Sequence, residues 1–343
     1  MEIQAFQHTD SIWTWSSSKT GKVSLWLPYF DRVEPTRTRE KDCFRFVYKG
    51  GEVSAPLKRI EFIMLYGASG YLPIEFLDRL SVYRIPLMIH RRNMPSPYLF
   101  FPDAGADPRD VLSRQVTCRE NQIRAAYIAR TLIAARFHSM EYLIPVADTV
   151  YQKLSKARSV TAIRLLEAEV TARYWKAYYQ RLGLDEAVAR RDREHPVNKA
   201  LNAASYFVSG VLLRWVLFHK LSPEHGYLHE QTAYPSLVFD LIEPYRYVFE
   251  QAVLEAHPHG GLSEGDWLTG KTISYLKETL EEPAYVPVTR QTVRKKNLLH
   301  GVVMALRAYL VDDMKRLVIP VEGKKQGGRP LKVSFKMPGG LKE

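Results

Sequence analysis

Short apolar runs divided by Gly, Ser, Lys and Pro fill the first hundred residues, and longer stretches with a 3.6-residue apolar period fill the rest. The runs SIWTW, KVSLWLPYF, CFRFVYK and RIEFIMLYG are rich in Val, Ile, Phe, Tyr and Trp and predict strands. Ile74, Leu77 and Leu80 have helical spacing, so Pro73–Val82 predicts a helix, followed by the apolar run IPLMIH. The proline-rich segment PSPYLFFPDAGADP then places a domain boundary around Asp103–Pro108. Beyond it, helices are predicted over Arg109–Met140, Val160–Arg181, Val197–Lys220, Ser236–Ala256 and Thr289–Leu317, with a smaller one after Ser263. The expected fold class is α+β. A small β-rich domain covers 1–105, a larger all-α domain covers 106–320, and 321–343 forms a basic mobile tail.

Composition narrows the function classes. A chain of 343 residues with 46% apolar and 25% charged residues can bury a core in about two domains, which excludes a wholly disordered or collagen-like protein. The most apolar stretch, Ala203–Phe218, is interrupted by Arg214, so no membrane span is expected. The opening residues MEIQAFQHTD lack the basic-then-apolar order of a secretory signal. Cys43 and Cys118 are too few for a disulfide framework or a cysteine-rich zinc site, so a reducing cytoplasm is the default. Lys and Arg number 49 against 37 acids, and the resulting charge of +12 favours a polyanionic partner, nucleic acid or an anionic membrane surface.

Candidate chemistry begins on the helix at 160–181. Val160, Ile163, Val170, Tyr174 and Ala177 share one face, and Glu167 lies within ~20–80° of each at ~100° per residue. A carboxylate inside an apolar stripe is costly unless a cation or metal is beside it. Arg164 and Arg173 offer the plain alternative, an ion pair. Further on, His229 falls on a loop between Pro223 and Pro235, and Asp240 and Glu243 share a helix face, with Ser236 as N-cap. One histidine and two acids suit Mg²⁺ or Mn²⁺, although a histidine near acids also reads as a surface hydrogen-bond pair, and His225 is a rival ligand. For phosphate contact, VRKKN at Val293–Asn297 supplies Arg294, Lys295 and Lys296. On the 109–140 helix, Arg114, Arg119, Arg124, Arg130 and Arg136 read as scattered solvated charges, of which only Arg119 and Arg130 share a face. Arg59, Arg91 and Arg92 read equally as surface charge.

Three ordered motifs carry a family resemblance. LEAEVTARYW at Leu166–Trp175, HPVNKALNAASYFVSGVL at His195–Leu212 and GYLHEQTAYPSLVFDLIEPYR at Gly226–Arg246 resemble the glutamate, Pro-x-Asn and histidine motifs of the CRISPR-associated adaptation integrases, the Cas proteins numbered one. Arg59–Arg92 is similar to that family's strand–helix–strand section. The resemblance implies metal ligands at Glu167, His229 and Glu243, with Asp240 supporting the site. It also implies Mg²⁺ or Mn²⁺, double-stranded DNA (prespacer and repeat/leader), a homodimer through the β domain, and a heterohexamer with the small Cas protein numbered two. Three positions depart from the pattern. Ala168 stands where the family usually has Gly, His195 where it often has Asp, and Pro244 should kink the acidic helix or move its start.

The implied activity is insertion of short DNA fragments into a CRISPR array by attack of a 3′-hydroxyl on a phosphodiester. The alternatives are a metal-dependent nuclease or transposon-type integrase acting on branched DNA, and a catalytically silent DNA-binding scaffold. A tyrosine recombinase is disfavoured, because no arginine–histidine–tyrosine grouping accompanies the 20 tyrosines.

Overall fold

In a computed structural model the chain separates into two compact units, Met1–Ala106 and Asp107–Glu343. The structure describes residues 5–6, 13–16, 22–36, 41–91, 94, 97–100, 102, 109–184, 188–257, 265–325 and 336–341. The expected boundary at 103–108, Arg92 and the middle of the basic tail lie outside them.

The first unit contains β1 (Ala5–Phe6), β2 (Trp13–Ser16), β3 (Val23–Pro28), β4 (Phe30–Pro35), β5 (Cys43–Tyr48), β6 (Gly51–Pro56) and β7 (Ile60–Tyr66). Helix α1 (Ile74–Tyr83), β8 (Leu87–Ile89) and β9 (Tyr98–Phe100) complete it. An antiparallel sheet has the order β1-β6-β5-β4, and a second sheet has the order β2-β3-β7-β8-β9 with parallel pairing at β3/β7 and β7/β8. Parallel neighbours need a crossover, and α1 supplies the one between β7 and β8. Phe76 of α1 packs edge-on to Phe44 and Phe46 of β5 at 5.1 and 5.7 Å, in a core that also holds Leu27, Ile63, Leu65 and Leu87. The run expected as one strand, 22–30, turns at Tyr29, whose φ of 51° is left-handed, and so divides into β3 and β4.

The second unit is helical. It contains α2 (Val111–Glu120), α3 (Gln122–Met140), α4 (Asp148–Lys156), α5 (Val160–Arg181), α6 (Pro196–Phe218), α7 (Ser236–Ile242), α8 (Arg246–Ala256) and α9 (Gly265–Glu281). A hairpin of β10 (Pro283–Val286) and β11 (Gln291–Arg294) precedes α10 (Lys295–Leu310). The α+β class therefore holds, with a hairpin inside the helical unit.

Three expected helices are corrected. The one over 109–140 breaks at Asn121, whose side chain caps α3 by accepting from the Arg124 N–H at 3.0 Å. The one over 236–256 is interrupted by a 3₁₀ turn at Glu243–Tyr245, where Pro244 has no N–H to continue the ladder. The one over 289–317 starts only at Lys295, because residues 291–294 pair with 283–286. Part of the expected mobile tail lies along this hairpin. Leu341 N donates to Thr292 O at 2.8 Å, Gln291 bonds both the N–H and the carbonyl of Met337, and Met337 is buried.

Helix α6 is long and apolar enough to cross a membrane by composition, yet most of it is enclosed by its own unit. It packs against α7, α8, α9 and α10.

Candidate functional site

Glu167 projects from the middle of α5, which starts at Ser159, the side-chain cap of the Ala162 N–H at 3.2 Å. Its neighbours Ile163, Leu166, Val170 and Tyr174 are buried and Glu167 is half-buried, as the helical spacing requires. Neither Arg164 nor Arg173 pairs with it, and both are exposed. Its carboxylate takes no hydrogen bond or ion pair among the described residues. Burial, and after it the negative charge of Glu243, raises its pKa above the ordinary carboxylate range; the charges of Arg246, Arg136 and His229 oppose that shift.

His229 sits on the loop before α7, and Asp240 of α7 organises that loop. The Asp240 carboxylate is fully buried and accepts from the backbone N–H groups of Tyr227, Leu228 and His229, the last two at 2.9 and 3.0 Å. His229 Nδ1 lies 2.7 Å from Asp240 Oδ1, so Nδ1 carries the proton and Nε2 keeps its lone pair. Burial alone would lower the His229 pKa. The Asp240 hydrogen bond and the charges of Asp240, Glu243 and Glu167 outweigh it and raise the pKa.

Glycine is required at 226, where a Cβ would stand 2.7 Å from His229 O and 2.8 Å from Asp240 Oδ2. Ser236 does not cap α7 as expected. It lies one residue inside, its hydroxyl accepting from Gly226 N at 2.9 Å and donating to Glu224 O at 2.8 Å. From the other side α2 clamps the loop. Gln115 Nε2 donates to Ser222 O and His225 O, both at 2.9 Å, and Arg119 donates to Glu230 O. His225, the rival ligand, bonds Ser222 Oγ through its own Nδ1 at 2.8 Å.

Glu243 lies in the 3₁₀ turn packed against α3. Arg246 Nη1 donates to its Oε1 at 3.1 Å, while Oε2 is buried without a hydrogen bond, 3.7 Å from Arg136 Nε. Arg136 corrects the expected solvated charges of the 109–140 helix: it is 1% exposed and makes a two-pronged pair with Glu250 at 2.9 and 3.1 Å. No motif marks Arg136 or Glu250. The signal for the arginine is its place among Leu132, Ile133, Phe137 and Met140, all buried on α3.

Glu167, His229 and Glu243 thus come from a helix, a loop and a turn, and lie close enough to act on one another's charge. Among the described residues, no three His, Cys, Asp or Glu side chains stand together closely enough to enclose an ion as they are. The donor set nevertheless fits a hard divalent cation. The Glu167 carboxylate and His229 Nε2 take no partner among the described residues, and Glu243 Oε2 is a buried acceptor lacking a donor. Asp240 behind the imidazole matches the carboxylate support that metal-binding histidines usually have.

The candidate DNA contacts are placed differently. Arg294 and Lys296 pair with Glu281, and Lys295 pairs with Glu282 at 2.7 Å. Arg119 holds a loop carbonyl, and Arg130 donates to Ala157 O at 3.0 Å. Arg119 and Arg130 also lie on two helices, so the shared face expected for them does not exist.

Comparison with known proteins agrees with this fold. A curated relative, CRISPR-associated endonuclease Cas1 1 of Pyrobaculum aerophilum, is 28% identical over 137 residues, spanning 39% of this chain and only 45% of the relative. A casposase bound to integration product has a similar fold, with a TM-score of 0.73 at 18% identity, covering 91% of this chain and 94% of that one. A CAS1 protein from Thermotoga maritima gives 0.69 at 18% identity over 88% of this chain and all of that one. A chain of a Cas6-RT-Cas1–Cas2 complex gives 0.70 at 13% identity over 94% of this chain and 37% of that one. The family model described as CRISPR associated protein Cas1 matches residues 35–284, most of the chain, and the chain therefore belongs to the Cas1 family.

Proposed function

We propose that this chain is a metal-dependent DNA integrase and endonuclease of CRISPR adaptation, inserting short DNA fragments into a repeat array. The observation that carries the reading is the set of donor atoms that take no hydrogen bond among the described residues, Glu167 carboxylate, His229 Nε2 and Glu243 Oε2, on three mutually interacting side chains. These three would hold Mg²⁺ or Mn²⁺, which when bound stabilises charge on the attacked phosphate and on the leaving oxygen. Asp240 keeps His229 in the tautomer that offers Nε2. The buried Arg136 lies behind Glu243, 3.7 Å from its Oε2. No protein nucleophile is needed, since the attacking group is the 3′-hydroxyl of DNA.

Membership in the family and the relatives that carry an integration product or Cas2 support DNA and Cas2 as partners; the proposal adds that the DNA is double-stranded and that a second copy of the chain joins in a heterohexamer with Cas2. The site of action on this reading is the cytoplasm, and the charge of +12 suits a DNA partner whose binding weakens steeply with salt. The test offers DNA fragments with free 3′-hydroxyls and a supercoiled repeat-containing target, with Cas2 and Mn²⁺. Strand-joined products are expected from the wild type and not from Glu167→Ala or His229→Ala. Equal joining by Glu167→Ala would overturn the reading. The silent-scaffold alternative draws on the hold of Arg246 and Arg136 on Glu243. It requires no Mn²⁺ binding that depends on Glu167.

A further inference from the structure

The two buried carboxylates of the arginine network are treated unequally. Glu250 is saturated. Its Oε1 accepts from Arg136 Nη2 at 2.9 Å and Arg246 Nε at 3.2 Å, and its Oε2 accepts from Arg136 Nη1 at 3.1 Å and the Tyr174 hydroxyl at 2.6 Å. Among the described residues Glu243 receives one hydrogen bond, from Arg246 Nη1 to Oε1, while its Oε2 has none and meets Arg136 Nε only as an ion pair at 3.7 Å. Both guanidiniums are thereby fixed chiefly by Glu250, and what they leave over orients Glu243.

The anchor is well built. Glu250 is fully buried, and its backbone carbonyl also accepts from the Tyr178 hydroxyl at 2.7 Å. Tyr174 is held in turn by the Tyr142 hydroxyl at 2.7 Å, and Arg136 stacks over the Tyr174 ring at 5.0 Å. Helix α5 therefore contributes twice, with Glu167 facing the site and Tyr174, two turns on, holding the network behind Glu243. The four charges of Arg136, Arg246, Glu243 and Glu250 sum to zero.

We propose that Glu250 is a positioning residue: by taking up the hydrogen bonds of Arg136 Nη1 and Nη2 and of Arg246 Nε it limits their hydrogen bonding of Glu243 to Oε1 and leaves Oε2, which meets Arg136 Nε only at 3.7 Å, for a divalent cation. This rests on the metal-site reading above. A merely structural Glu250 would matter for folding and leave cation affinity alone. With Arg136 and Arg246 released from Glu250, both would turn to Glu243 and close off Oε2.

The test is titration of the full-length protein with Mn²⁺ alone by calorimetry, beside thermal unfolding in chelator. Four variants are compared with wild type: Glu250→Gln, Tyr174→Phe, Glu167→Gln, and the double variant Arg136→Met with Glu250→Met. Glu250→Gln is expected to weaken Mn²⁺ binding about tenfold or more, the range seen when a ligand's support is removed. Tyr174→Phe, which deletes one donor, should weaken it about threefold. The double variant replaces the pair by apolar side chains, which buried pairs often tolerate. It should stay folded and still lose affinity. If Glu250→Gln does not fold, Tyr174→Phe and the double variant decide the question. Mn²⁺ affinity within twofold of wild type in the folded variants, with binding lost in Glu167→Gln, overturns the role of Glu250 and leaves the metal site intact. Wild-type binding untouched by Glu167→Gln overturns both.

Discussion

His229 Nδ1 and Asp240 Oδ1 lie 2.7 Å apart, and the same carboxylate accepts the N–H groups of Tyr227, Leu228 and His229. One buried side chain thus sets both the path of the loop and the tautomer of its imidazole. Asp240→Asn would turn an NH₂ group toward N–H donors. It is expected to destabilise the protein by about 2–3 kcal/mol and to weaken Mn²⁺ binding about tenfold or more. Urea unfolding and calorimetry measure the two effects.

Gly226→Ala tests the same loop from the backbone side. The added methyl would stand 2.7 Å from His229 O and 2.9 Å from the Ser236 carbonyl carbon, so the loop has to move. A loss of about 1–3 kcal/mol is expected, as for overpacked interiors, and proton spectra should show a displaced His229 ring resonance.

Glu167→Gln should separate stability from function. A carboxyl with a raised folded pKa costs the folded state stability while ionised, at pH above that pKa, and the amide removes the cost. In chelator at pH 8 the variant should unfold at or slightly above the wild-type temperature, by about 0.5–1 kcal/mol, as for other strained active-site residues. Joining activity should be lost. A variant clearly less stable than wild type would place Glu167 among structural groups.

In the first unit, burial lowers the pKa of His90 to about 4, and its ring stacks on Tyr66 at 4.7 Å. Unfolded histidine titrates near 6.5, so between these values the unfolded chain binds more protons. Stability contributed by the neutral ring is full above pH 6.5, falls as pH drops toward 4, and levels off below it. His90→Gln should flatten that part of the stability–pH curve by about 1–2 kcal/mol, with residual solvent at the ring allowed for. Denaturant midpoints at pH 7 and pH 4.5 measure it.

The inward placement of Glu167 is legible because α5 is a long uninterrupted helix whose apolar positions repeat every 3.6 residues. His229 and Glu243 need motif resemblance, since a loop and a short turn have no period to read, and for Asp240 on the short α7 the only local cue is its three-residue spacing from Glu243. Pro244 is legible as the point where the acidic helix must break. The Arg136–Glu250 pair joins positions 114 apart, and nothing local marks one residue as the other's partner. As one of five spaced arginines Arg136 reads as solvated, but the apolar residues around it on its helix are the cue that counts. The break at Asn121 has neither Gly nor Pro to announce it. The VRKK charges look free because Glu281 and Glu282, their partners, reach them only once β10 and β11 pair.

Helix α6 is greasy on nearly every side, and four of the elements that enclose it, α7 to α10, all come later in the chain. On the ribosome it therefore leaves the tunnel before the segments that will shelter it, which follow it in the chain. For that interval the nascent polypeptide displays a bare, sticky rod, so growing chains are prone to clump and to recruit chaperones. Truncations that end before α10 should consequently accumulate as insoluble material, even though every proposed ligand has by then been synthesised.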